Sequence, residues 1–163
     1  MISEKGQLYA RQMEQQADEY FNKFNTCMKF FKSNDEDIWN CSTIDKHLVD
    51  RKGRKIAIEF KIRLCDINTY DSLFIEEKKW EAFKKDYADG HIPLYINFLR
   101  DGNHVWICDL RQFFDHKASI EKKTLKINNH GYGRTDINEV RYLIPQRAGI
   151  YYEFENNGYI RRW

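Results

Sequence analysis

Residues 42–63 run Ser-Thr-Ile-Asp-Lys-His-Leu-Val-Asp-Arg-Lys-Gly-Arg-Lys-Ile-Ala-Ile-Glu-Phe-Lys-Ile-Arg, and the reading of this stretch decides the fold. Two β-rich runs flank a polar segment containing Gly53, the pattern of a strand, a turn and a strand. If Arg51-Lys52-Gly53 is a three-residue loop, Asp50 pairs with Arg54 and the antiparallel ladder places Asp45 opposite Glu59. A two-residue Lys52-Gly53 turn makes Phe60 the partner of Asp45 and leaves Glu59 and Lys61 diagonal to it. Both registers keep Asp45, Glu59 and Lys61 together.

Side chains in a strand change face at every residue. Ile56, Ile58, Phe60 and Ile62 therefore share one face with Ile44 and Leu48, while Ala57, Glu59, Lys61 and Arg63 share the other with Asp45. Two carboxylates about 5 Å apart across a ladder repel unless a cation lies between them. Hard oxygen ligands of this kind suit Mg²⁺, or Mn²⁺. Such a metal polarises a phosphodiester and acidifies water, and Lys61 is placed to orient that water or offset developing negative charge. The competing reading of the three residues is a solvated sheet face with cross-strand ion pairs.

Glu-x-Lys recurs at Glu76/Lys78, Glu77/Lys79 and Glu121/Lys123, so the tripeptide alone selects nothing in a chain that is 32% charged. Only the copy at 59 to 61 lies in an apolar β-type run with an acid across a turn. Asp50 belongs to the turn and is read as turn chemistry.

An acid, a hairpin and Glu59-x-Lys61 inside a hydrophobic strand resemble the PD-(D/E)XK nucleases, the restriction-endonuclease-like superfamily that includes Holliday junction resolvases and many small phage and repair nucleases. Ile44 stands where the family name has proline, a position that varies within the superfamily. The resemblance covers residues 4 to 110 and implies an α/β fold: an N-terminal helix, a meander of strands, then a helix and a further strand, with helices on both faces of a central mixed sheet. It implies metal-dependent hydrolysis of DNA phosphodiesters, with Asp45 and Glu59 as metal ligands and Lys61 at the nucleophilic water. It also implies a glutamate from the first helix, for which Glu14 is the candidate and Asp18 and Glu19 are competitors. Lys78 is its candidate for a phosphate contact beside the site. Resolvases of this superfamily work as dimers, which leaves a homodimer open.

Outside the hairpin, Met13, Ala17, Tyr20, Phe21 and Phe24 form one stripe of an amphipathic helix over 4–24. Leu73-Phe74-Ile75 predicts a short strand. Glu76 to Ala88 carries Trp80, Phe83 and Tyr87 at helical spacing, with Glu76 and Glu77 in its first turn and Asp89-Gly90 at its end. Residues 92–99 and 104–110 read as central strands joined by the turn Arg100-Asp101-Gly102-Asn103, apolar enough in succession to be covered on both sides. Arg111 to Ala118 reads as a short helix, and 140–144 and 150–154 as short strands. The tail also holds Lys117, Lys122, Lys123 and Lys126 and a polar loop over 128–133.

The chain has 163 residues, 42% of them hydrophobic and 15% aromatic, which predicts one domain over 1–163 with its own core. Residues 111–163 are then an elaboration on that core. No apolar run approaches a membrane span and the first residues are no signal peptide, so a soluble intracellular protein is expected. Cys27, Cys41, Cys65 and Cys108 lack zinc-site spacing and read as reduced thiols.

A net charge of +2 is a weak nucleic-acid signal, and its distribution says more. Arg51, Lys52, Arg54 and Lys55 at the hairpin tip, Arg63 on the acid face, and Arg161-Arg162-Trp163 are candidate contacts to DNA. His47 reads as a hydrogen-bonded surface histidine.

Overall fold

The computed structural model describes residues 4–32, 44–127 and 137–163; Ser42, Thr43, Cys41 and the 128–133 loop lie outside the described residues. Helix α1 (Glu4–Met28) begins the described chain. Its buried side chains are Ala17, Phe21 and Phe24, with Met13 and Tyr20 half-buried beside them, so the apolar spacing selects the face that packs. The helix continues past the expected end at residue 24 and stops where Lys29 turns left-handed, at φ 55°.

The hairpin follows as β1 (Lys46–Val49) and β2 (Lys55–Arg63), paired Lys46 to Ile58, His47 to Ala57, Leu48 to Ile56 and Val49 to Lys55. The Asp50 N–H donates to the Arg54 carbonyl at 2.9 Å, and Gly53 sits at φ 80°, so the loop is the three-residue one. The Asp50 carboxylate accepts the backbone N–H groups of Lys52 and Arg54 and the Arg54 Nε, which is turn chemistry. One step beyond the last ladder pair, this register carries Asp45 to Glu59.

The remaining elements are β3 (Ser72–Glu76), α2 (Glu77–Ala88), β4 (Ile92–Leu99), β5 (His104–Asp109), α3 (Arg111–Phe114), β6 (Glu121–Ile127), β7 (Ile137–Pro145), a 3₁₀ turn (Gln146–Ala148), β8 (Ile150–Glu155) and β9 (Gly158–Arg161). They form a six-stranded mixed sheet in the order β1-β2-β4-β5-β8-β9 and a three-stranded sheet in the order β3-β7-β6. The fold is therefore α/β. Parallel neighbours need a long crossover, and here β3 and α2 carry the chain from β2 to the parallel β4.

Several expectations are corrected. The third strand does not continue the hairpin's meander. β1 and β4 flank β2, while β3 leaves that sheet and pairs with β7. Glu76 closes that strand rather than opening the helix, and α3 spans four residues instead of reaching 118. Ile44 joins the apolar cluster of Ala57, Trp80, Phe83, Tyr95 and Trp106, not that of Leu48, because the ladder ends at Lys46 and strand parity no longer applies before it.

Alternate residues of β2 divide between two apolar clusters. Ile56, Ile58 and Phe60 pack with Phe21 and Phe24 of α1, whereas Ala57 packs with Trp80 and Phe83 of α2. Tyr95 to Leu99 of β4 are all buried, the polar Asn97 included, as a strand covered on both faces requires.

Candidate active site

Asp45, Glu59 and Lys61 converge as the hairpin arithmetic expects, and two further charged side chains join them. Asp45 leaves the end of β1 with its Oδ2 accepting the Phe60 N–H at 2.8 Å, which fixes the carboxylate against the β2 backbone. Glu59 lies beside it with only 2% of its side chain exposed. From the first turn of α2, the Lys79 Nζ donates to Glu59 Oε2 at 2.8 Å and stands 3.7 Å from Asp45 Oδ1. An ammonium thus bridges the two carboxylates. The Lys61 Nζ is 4.0 Å from Glu59 Oε1 but donates to Glu76 Oε1 at 3.0 Å.

The electrostatics follow from burial and this arrangement. Burial pushes Glu59 up to about 8, the Asp45 charge adds to the rise, and Lys79 and then Lys61 oppose it. Glu76 is also desolvated, yet the neighbouring Lys61 charge holds it below its ordinary value. Burial and the Asp45 charge thus outweigh the two lysines in setting Glu59 above its ordinary range. That is the electrostatic condition of a carboxylate pair that accepts a further cation, and two hard oxygen donors suit Mg²⁺ or Mn²⁺. Among the described residues, Glu76 Oε2 is a buried oxygen with no hydrogen-bond partner, and Asn97 Nδ2, on the strand beside Lys61, is a buried donor with none. One acceptor and one donor left open beside the site suit an ordered water or a substrate oxygen.

Glu14, Met13 and Ala17 of α1 line the same cleft as Asp45, Glu59, Lys61 and Lys79, a space of about 330 Å³. Side chains from both sheet faces can meet there because β1 pairs with β2 only as far as Ile58. From Glu59 onward, the outer edge of β2 has no strand beside it among the described residues, and the cleft opens along that edge. Glu14 is exposed at its rim. Among the described residues, no three acidic, histidine or cysteine side chains stand close enough to form a ready metal cage. The carboxylates that meet closely are Asp45 and Glu59.

The other expected residues fall elsewhere. Lys78 is exposed and does not line the cleft, while its neighbour Lys79 does. The Arg63 guanidinium is engaged internally, donating to Asn97 Oδ1 at 2.6 Å, the Phe74 carbonyl at 2.9 Å and the Tyr95 hydroxyl at 2.9 Å. Arg51, Lys52, Arg54 and Lys55 are exposed at the hairpin tip. The six residues from Gly53 to Glu59 put the tip about 20 Å from the acids along the strand. His47 is the hydrogen-bonded surface histidine expected, held to Asp86 of α2 at 2.8 Å. Arg162 bonds Glu153 and Glu155, and Trp163 lies against Tyr151. Cys27, Cys65 and Cys108 are free thiols.

Sequence reading places Glu76 only in the first turn of a helix and, among the lysines of α2, favours Lys78 over Lys79. A signal for Lys79 is nonetheless present: Lys79, Phe83 and Asp86 recur at i, i+4 and i+7, so two charges sit on the stripe that packs inward. Among the described residues, no helix is long and apolar enough to cross a membrane. In comparison with known proteins, the chain matches no protein-family model, no curated protein and no solved structure.

Proposed function

We propose that the protein is a metal-dependent nuclease that hydrolyses DNA phosphodiesters, built on a restriction-endonuclease-like core with α1 and α2 on opposite faces of the mixed sheet. The observation that carries this reading is the buried Glu59 carboxylate beside Asp45, raised to about 8 and open along a sheet edge. Asp45 and Glu59 hold Mg²⁺ or Mn²⁺, and Glu14 at the rim supplies a third carboxylate on substrate binding. When bound, the metal polarises the phosphodiester and acidifies a water. Lys61 orients the attacking water and offsets charge at the phosphate, and Glu76 holds its ammonium in place. Lys79, at the same carboxylates, is the cation that a bound metal would replace.

A second reading, a nuclease-fold protein that binds nucleic acid or a protein partner without cutting, is favoured by one observation. Lys79 already supplies a cation between Asp45 and Glu59. The two readings separate in one assay of the wild type, Glu59→Ala and Lys61→Ala on branched, single-stranded and linear DNA, with Mg²⁺, Mn²⁺ or EDTA. The nuclease reading expects cutting that needs metal and falls at least a hundredfold in each variant. Cutting that survives Glu59→Ala removes the site assignment, and tight binding without cutting by the wild type establishes the second reading.

A further inference from the structure

A second cleft, of about 720 Å³, adjoins the acidic one, and Ile62 lines both. Its walls come from the end of β2, the loop after it, and the three-stranded sheet. Leu64 and Tyr70 line it with 88% and 63% exposure, so two large apolar side chains on one loop face the same space without being part of the core. Across from them the Arg63 and Arg141 guanidinium groups lie over the Phe74 ring, their central carbons 4.4 Å and 3.6 Å from its centre. Arg141 is also the ladder partner of Glu76, whose carboxylate holds Lys61. The cationic, aromatic wall is therefore one residue removed from the proposed catalytic lysine.

A flat aromatic ring open to solvent and an apolar neighbour are the chemistry that stacks an unpaired base, and the Arg63 and Arg141 guanidinium groups, held by Asn97 and Glu139, give the wall behind it positive charge. A double helix does not fit a cleft of this size, whereas one or two bases do. We propose that this cleft seats an unpaired nucleobase beside the scissile phosphate, so the substrate class is DNA with a single-stranded segment crossing the acidic cleft. The cleavage part of this proposal rests on the nuclease reading; the binding part does not.

The test is fluorescence anisotropy of the full chain in EDTA with a labelled short oligothymidylate and a blunt duplex of equal length, followed by cutting assays in Mg²⁺. Tyr70→Ala weakens oligothymidylate binding about tenfold and leaves duplex binding unchanged, and Tyr70→Trp, which keeps a stacking surface, binds as the wild type does. Because the ring is mostly exposed, neither change disturbs the core. No oligothymidylate binding by the wild type, no loss in Tyr70→Ala, or equal losses on both ligands overturns the proposal. Binding through Tyr70 with no cutting keeps the cleft assignment and discards the nuclease reading. Cutting with Tyr70→Ala binding at full strength does the reverse.

Discussion

At the scale of single residues, Glu59 gives the site a pH dependence whose sign is fixed. Its folded value near 8 exceeds the ordinary 4.5, so between these pH values the folded protein holds a proton that the unfolded chain has released. Stability without metal therefore falls as pH rises through that window. Thermal melts in EDTA should show the midpoint dropping from pH 5 to pH 8, by about 3 °C for each kcal/mol lost. Glu59→Gln should flatten the slope, and Mg²⁺ should restore the wild type at the alkaline end. A flat wild-type profile would mean that Lys79 and Lys61 already keep Glu59 ionised. Lys79→Met takes the bridging ammonium away from Asp45 and Glu59, so it should lower the melting point in EDTA and recover most of the loss on adding Mg²⁺. No recovery would mean that the acids cannot share a divalent ion. Asp45, Glu59 and Lys61 are legible in sequence because a loop of known length sets the register that brings Asp45 to Glu59. Glu76 and Lys79 are not, because their approach depends on how β3 and α2 return across the sheet.

At the scale of elements, turns carry more of the fold than propensity suggests. Gly102, in the turn between β4 and β5, is left-handed at φ 76°, and a Cβ there would stand 2.5 Å from the Tyr20 ring of α1. Gly53 has nearly the same conformation, φ 80°, with nothing within 4 Å of the added atom. The pair separates backbone strain from packing. Gly53→Ala should cost about 1 kcal/mol from the backbone alone, and Gly102→Ala about 2–4 kcal/mol, since displacing the ring adds to it. Urea unfolding of both variants checks this, and equal losses would show that Tyr20 swings aside freely. The Arg100 to Asn103 and Asp89-Gly90 turns are legible because glycine marks them. β9 is equally marked: Asn156 and Asn157 both take positive φ and precede Gly158, a two-residue hairpin turn in sequence as well as in structure. β6 is not legible, since Glu121-Lys122-Lys123 gives an edge strand too charged to show an apolar alternation.

For the whole molecule, the two-sheet layout is the part that sequence hides most completely, because β3 finds its partner β7 some seventy positions later and no local pattern encodes such a pairing. The same layout sets where charge can meet a substrate. The formal net charge is only +2, so the DNA affinity that the proposed function requires would have to come from local groups rather than from a general basic field. Of the four tip cations, Arg54 is paired with Asp50, leaving Arg51, Lys52 and Lys55 exposed. Arg51 and Lys52 stand about 20 Å from Glu59 along β2 and Lys55 about 13 Å, distances that correspond to about six and about four base pairs of duplex. Substrates with more than about six base pairs of duplex beside the cut should therefore reach the whole tip, and those with fewer than about four should not reach it. Replacing Arg51, Lys52 and Lys55 together by glutamine should lower the salt dependence of binding to the longer substrates by up to about 3 in the slope of log K against log salt. It should leave the slope for the shortest substrates, and the cutting rate at saturation, unchanged. Binding titrations across salt concentrations with duplexes of graded length check this, and an unchanged slope on the longest duplex would place the tip outside the interface.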